Sequence, residues 1–303
     1  MSSLWKFGGL TPLKLFQIAI NKIGKDELST RSASLSYYFL LALFPMSLFL
    51  ISLVGVFSGP GSQLRESIMS SLGRLAPGSA STLVESVISQ TFRNSNGIKL
   101  VTGILGALWA ASGGMDAVIV SLNVVYGVPE TRPWWKKKLA IVGLTVTLAG
   151  LIIIALVLVL YGGKIGQVIA TYVGLGNVFS ISWKVLQWPL SFAAMFLSFS
   201  VVYYFAPNLK ERKWYWVTPG AVAGVALWLI ASLGLRLYLR FFNTYSATYG
   251  SLGAVIILML WLYMTGFAIL IGGELNWLIE NEDKKTAAFE LKKQQIEAKM
   301  KAA

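Results

Sequence analysis

The sequence predicts an all-α integral membrane protein: a bundle of about six transmembrane helices, with an N-terminal amphipathic helix before it and two short helices in an external loop. Three observations carry that prediction. Six apolar stretches each reach the roughly 20 residues that a helix needs to cross the hydrocarbon layer. Hydrophobic residues make up 55% of the 303 positions and charged residues only 13%, about half the charge of an ordinary soluble domain. Lysine and arginine gather in alternate connecting segments, as they do in cytoplasmic loops.

The expected spans are residues 33–57, 98–122, 138–161, 183–205, 217–239 and 251–273. Their length argues for helices, since barrel strands need only about 10 residues and alternate in polarity. The third span is the clearest, through the unbroken apolar run from Leu151 to Leu160. The second is the most polar, holding Ser112, Gly113, Gly114 and Asp116. Residues 1–31 lack a compact apolar core ending in small residues, so the first span is expected to remain as an anchor.

Orientation follows from the basic residues. Lys6, Lys14, Lys22, Lys25 and Arg31 precede the first span, Arg132 and Lys136 to Lys138 follow the second, Lys210, Arg212 and Lys213 follow the fourth, and six lysines lie from Lys284 onwards. Both termini are therefore expected in the cytoplasm. The same pattern accounts for the net charge of +13, and no nucleic-acid partner is expected. Trp134, Trp135, Trp183, Trp188, Trp214 and Trp216 flank the spans, where their rings favour the headgroup level.

Three units result: a cytoplasmic amphipathic segment (1–32), the transmembrane domain (33–275) and a charged cytoplasmic tail (276–303). In the first, Thr11-Pro12 has the form of a helix start. Leu13, Phe16, Ile20 and Ile23 then share one face, while Lys14, Gln17, Asn21 and Lys25 share the other. Such a helix lies on the membrane surface or packs on the floor of the bundle. Between residues 58 and 97, Leu64, Ile68, Leu72 and Leu75 repeat at helical spacing before Pro77-Gly78, and Leu83, Val84, Val87, Ile88 and Thr91 repeat after it. In the tail, Glu290 with Lys293 and Glu297 with Lys301 have helical pair spacing. A weak internal similarity links Val124-Val125-Tyr126, before Pro129-Glu130, with Val201-Val202-Tyr203, before Pro207-Asn208. Shared interfacial chemistry explains it as well as a duplication does.

Gly106, Ala110 and Gly114 on the second span and Gly220 and Gly224 on the fifth recur at four-residue spacing, which lets helix backbones approach. These stripes also permit a homo-oligomer. Pro45 in the first span removes one backbone donor and is expected to kink it.

Asp116 stands out because an ionised carboxylate facing lipid costs on the order of 3 kcal/mol. It is expected to face the bundle interior, pair with a donor or bind a proton, and a polar cluster at the inner mouth is expected from Asp116, Asn123, Glu130, Arg132, Glu274 and Asn276. The alternative is a hydrogen-bond network that only pins the helices together. On the outer side, Arg236, Arg240 and Tyr249 form a candidate anion or headgroup site, against the simpler reading of arginines that snorkel to water.

Several chemistries are excluded. With no histidine and no cysteine, the usual nitrogen and sulfur metal sites and a histidine-based serine triad are impossible. No GxxxxGK[ST] loop is present, and the thirteen acids are scattered rather than grouped for a two-metal site. No catalytic residue, metal or cofactor is expected, and membrane lipids are the expected partners.

The chain resembles the YihY/virulence factor BrkB family over roughly residues 10 to 278. The resemblance rests on Ser32-Ala33-Ser34-Leu35-Ser36-Tyr37-Tyr38 through Phe44-Pro45; on the run from Leu108 to Asp116; on Leu122 to Gly127 with Glu130 and Arg132; on Tyr204-Phe205-Ala206-Pro207-Asn208; on Pro219-Gly220-Ala221; and on Tyr249 to Gly253 and Gly272 to Asn276. It implies a bacterial inner-membrane protein with about six spans. Members have also carried the name ribonuclease BN, a tRNA-processing label at odds with the exclusions above. The expected function is a transporter or lipid-handling permease, with a non-transporting envelope scaffold as the alternative and the ribonuclease as the third reading.

Overall fold

The computed structural model describes residues 7, 9–58, 97–173, 176–210, 214–241 and 251–302. Within these residues the chain is helical throughout, with seven helices and no strand. They are α1 (Pro12–Lys25), α2 (Leu28–Ser58), α3 (Gly97–Val125), α4 (Trp134–Val173), α5 (Gly176–Phe205), α6 (Pro219–Phe241) and α7 (Ser251–Ala302).

Five of these helices contain a stretch long and apolar enough to cross a membrane: Leu105–Val125, Trp134–Ala155, Ser182–Phe205, Pro219–Phe241 and Leu252–Asp283. They correspond to the second through sixth expected spans. The first expected span, residues 33–57, is covered by the 31-residue helix α2 but is not among those five. The two short helices expected between residues 58 and 97 fall on residues outside those described.

Neighbouring helices close a ring. α2 packs on α3, α3 on α4, α4 on α5, α5 on α6, α6 on α7 and α7 on α2, with α7 also touching α3 across the ring. Buried apolar residues collect at one end of the ring. Leu28 and Leu35 of α2, Ile119 and Leu122 of α3, Leu144 of α4, Val202 of α5, Ala221 of α6 and Leu270 of α7 belong to a single cluster. Farther along, Ile152, Ile154, Leu233, Leu237 and Ile256 are exposed. An apolar exterior of this kind is stable against lipid, where helix association depends on packing and polar contacts rather than on removal from water.

α1 lies against the same end. Thr11 caps it, its hydroxyl accepting from the Lys14 amide at 3.4 Å, and Pro12 opens the first turn, where its missing N–H costs nothing. α1 presents two faces. Leu15 and Ala19 pack on Leu278 and Ile279 of α7, whereas Leu13, Phe16 and Ile20 are exposed. Glu27, between α1 and α2, has a φ of +53°, a left-handed conformation unfavourable for a residue with a Cβ.

Pro45 lies inside α2 and Pro189 inside α5. Each removes one donor from the helix ladder. α7 runs 52 residues without a break, so Glu274 and the charged tail belong to one continuous helix.

Candidate functional site

The C-terminus of α3 organises the site. Val128 N–H donates to the Asn123 carbonyl and Gly127 N–H to the Val124 carbonyl, both at 2.9 Å. This is a Schellman ending, and it requires the left-handed residue that Gly127 supplies at φ +62°. The pattern satisfies two carbonyls of the last turn and leaves that of Val125 for a partner from elsewhere.

That partner is Lys22. Its ammonium donates to the Val125 carbonyl at 3.0 Å and to Asp26 Oδ2 at 2.6 Å, and it pairs with Glu274 Oε1 at 2.7 Å. The ammonium also sits 3.9 Å from the centroid of the Trp277 ring, within cation–π range. Lys22 is 16% exposed and Glu274 is fully buried. Glu274 Oε2 accepts no hydrogen bond among the described residues. One cation thus faces two carboxylates.

Beside this group is a clasp between two loops. Arg132 grips Glu130 with Nε on Oε1 at 2.8 Å and Nη2 on Oε2 at 2.6 Å, the planar fork that guanidinium and carboxylate favour. The same guanidinium donates to the carbonyls of Phe205 at 3.4 Å and Ala206 at 3.0 Å, placing positive charge at the negative end of α5. Asn123 Nδ2 donates to Glu130 at 3.0 Å, and Asn123 Oδ1 accepts from the Asn208 amide at 2.8 Å. The Asn208 side chain donates to the Pro129 carbonyl and to Thr131 Oγ1. Hydrogen bonding from the Arg132 side chain, aided by its backbone and by Asn123, outweighs partial burial and holds the Glu130 carboxyl down at about 2. The two similar Val-Val-Tyr segments seen in the sequence therefore end in loops that grasp each other.

Asn276 forms a third group. Its Oδ1 accepts from Gly220 N–H at 2.9 Å and its Nδ2 donates to Thr218 Oγ1 at 3.0 Å. Thr218 Oγ1 in turn accepts from Ala221 N–H at 3.0 Å. Asn276 and Thr218 thereby satisfy two of the free donors at the start of α6. The contact is possible because Gly220 and Gly272 bring their backbones together.

The expected single cluster is thus divided. Asn123, Glu130 and Arg132 meet in the clasp, Glu274 joins Lys22, and Asn276 caps α6. Asp116 is in none of these groups; of the outcomes expected for it, pairing with a donor is the one the structure has. Its side chain is 44% exposed and pairs with Lys137 of α4 at 2.7 Å. The reason is the start of α4, whose first turns deliver lysines alongside α3: Lys138 reaches Ser112 Oγ at 3.1 Å and lies 3.5 Å above the Trp109 ring.

Of the small-residue stripe on α3, Gly114 meets α2, with Ala42 Cβ and Phe39 Cδ1 each 3.3 Å from where its Cβ would be. Gly106 has no described neighbour within 4 Å of that point, and Ala110 is exposed; neither makes the close approach expected of it. On α6, Gly224 lies against Phe199 and Tyr203, as Gly220 does against Gly272 and Asn276. Arg236 and Arg240 are exposed on the last turns of α6; Tyr249, expected beside them, lies outside the described residues.

Sequence reasoning missed Lys22, Asp26 and Asn208 as members of the site. It also missed a polar ladder between α6 and α7. Trp228 Nε1 donates to Thr265 Oγ1 at 3.0 Å, Thr265 Oγ1 donates to the Trp261 carbonyl at 2.9 Å, and Trp261 Nε1 donates to Ser232 Oγ at 3.1 Å. Among the described residues no three acidic side chains gather where they could hold a metal ion.

The ribonuclease-like protein YfkH of Bacillus subtilis is 39% identical over 258 residues, covering 85% of this chain and 92% of that protein. A UPF0761 membrane protein of Aliivibrio salmonicida is 25% identical over 289 residues, covering 94% and 89%. Another from Aeromonas salmonicida is 26% identical over 266 residues, covering 85% and 86%. No solved structure matches the chain. The sequence pattern of the family described as Virulence factor BrkB matches residues 19–297, and the chain, a membrane protein, belongs to that family.

Proposed function

We propose that this protein is a permease of the bacterial inner membrane, moving a lipid or small solute, with six spans that include α2 and with both termini in the cytoplasm. The alternation of basic segments along the chain supports the orientation. The observation that carries the functional reading is Glu274: a fully buried carboxylate at one end of the ring, with one oxygen unpartnered among the described residues and the other held by a helix that lies outside the ring. A buried charge is costly unless its hydrogen bonds are complete. A helix pin would serve as well with an apolar or amide side chain, so a buried, half-satisfied carboxylate points to exchange of a cation or proton during a working cycle.

The scaffold reading draws on a different observation, the fully bonded clasp of Asn123, Glu130, Arg132 and Asn208, which has the form of a structural lock. The name of the Bacillus relative attaches to that protein. For this chain the absence of histidine and cysteine argues against a ribonuclease.

The deciding experiment is reconstitution of the purified protein in liposomes, with extracted lipids identified by mass spectrometry and with flux of lipid and solute candidates followed. Flux that Glu274→Gln abolishes while the variant stays folded supports the permease. A folded wild-type protein with no flux and no copurifying ligand establishes the scaffold instead.

A further inference from the structure

Lys22 rests in a cradle whose parts are those of an amine receptor. Its Nζ has Glu274 Oε1 at 2.7 Å, the carbonyl at the end of α3 at 3.0 Å and the face of Trp277 at 3.9 Å. An ammonium carries three N–H donors. Carboxylate, carbonyl and aromatic face together favour a primary ammonium over a bare metal ion, which gains little from an indole ring.

Three features bear on whether Lys22 can leave this cradle. Asp26 is four residues from Lys22 and pairs with it at 2.6 Å, so the two leave together as a neutral couple while Glu274 stays behind. α1 is held to α7 by Leu15 and Ala19 on Leu278 and Ile279, with Ile18 beside them and Ile23 against the main core, and it joins α2 through the left-handed Glu27. Its Leu13, Phe16 and Ile20 are already exposed, so a displaced α1 has an apolar face ready for the membrane surface. Glu274 Oε2, on a fully buried side chain, accepts no hydrogen bond among the described residues and is a second acceptor on the same carboxylate.

We propose that the cradle of Glu274, the Val125 carbonyl and Trp277 is a binding site for a primary ammonium group on a slender chain, which the Lys22 side chain fills at rest and an incoming ligand fills in its place. The chemistry is that of an aminophospholipid headgroup or a free alkylamine. The role of the site in transport rests on the permease reading, but its occupancy does not.

The test uses the full chain with Lys22→Ala, which removes three carbons and the ammonium, and n-propylammonium, which replaces them. The thermal midpoint of the detergent-purified variant is expected to fall below wild type. n-Propylammonium should restore it at about tenfold lower concentration than tetramethylammonium, which cannot donate hydrogen bonds. Lys22→Ala/Glu274→Gln should show no such selectivity. Lys22→Met, which keeps the stem and loses only the ammonium, serves if the alanine variant does not fold; the ammonium ion, which is the group removed, is then the probe against tetramethylammonium. Equal response to both cations, or selectivity that survives Glu274→Gln, overturns the proposal. Stabilisation by nanodiscs of phosphatidylethanolamine over phosphatidylcholine assigns the site to a lipid headgroup, and stabilisation by free ethanolamine alone assigns it to a soluble amine. Selective binding without flux leaves the site standing and removes the permease, whereas flux without selective binding does the reverse.

Discussion

Gly220 and Gly272 face each other so closely that a Cβ on either would fall on the carbonyl oxygen of the other. The obstacle on each side is backbone, which cannot swing away as a side chain can. The start of α6 is thereby fixed against α7, with Asn276 bonding to the same turn.

Gly220→Ala and Gly272→Ala are each expected to destabilise the bundle by about 3 kcal/mol or more, the upper range for overpacking. Gly106→Ala, at a position with no described neighbour, is expected to change stability by less than about 0.5 kcal/mol. Thermal midpoints in detergent measure all three. A tolerated Gly272→Ala would contradict the contact.

Glu130 supplies a pH dependence with a definite sign. Its carboxyl is lowered from 4.5 to about 2, so its contribution to stability is complete above 4.5 and is lost as pH falls from there toward 2. The margin of wild type over Glu130→Gln should therefore be constant near neutrality and shrink in that acidic window. Melting curves of the pair at matched ionic strength report it, and a margin that grows on acidification would reverse the assignment.

Arg132→Lys should behave as a loss and not as a conservative change. An ammonium cannot hold both Glu130 oxygens and both carbonyls at the end of α5 with one planar fork. The expected cost is about 1–3 kcal/mol, the range for hydrogen bonds to charged groups. A double-mutant cycle with Glu130→Gln should show strong coupling between the two sites, and additivity would argue against the clasp.

The Trp228–Thr265 bond is a test of polar contacts between spans. Thr265→Val removes the acceptor while keeping the shape, and a cycle with Trp228→Phe should give a coupling of about 0.6 kcal/mol, the usual size for hydrogen bonds between membrane helices. A coupling near zero would leave the ring contact of Trp228 and Trp261, at 6.0 Å, as the main link there.

How far the sequence reveals this protein depends on distance along the chain. Apolar length identified the five qualifying spans, because each is a property of consecutive residues. Thr11-Pro12 marked the start of α1 for the same reason. The partnership of Lys22 with Glu274 joins positions 252 residues apart, and nothing local distinguishes that lysine from the other basic residues near the first span. Asp116 was legible as an acid in need of a donor, but the donor itself was not, because it is the loop after α3 that returns Lys137 to its side. Asn208 was visible as part of a repeated loop, but its role depends on the facing loop of Pro129 and Thr131.

The unbroken course of α7 has a mechanical consequence. From Glu274 to Ala302 the helix extends roughly 42 Å at 1.5 Å per residue, with no proline in that stretch to absorb bending. It acts as a lever arm whose fulcrum is the Lys22 contact. A tilt of about 10° there moves the far tip by roughly 7 Å. Since the chain has no cysteine of its own, a single thiol placed near the tip converts events at Glu274 into a displacement large enough for a spectroscopic ruler.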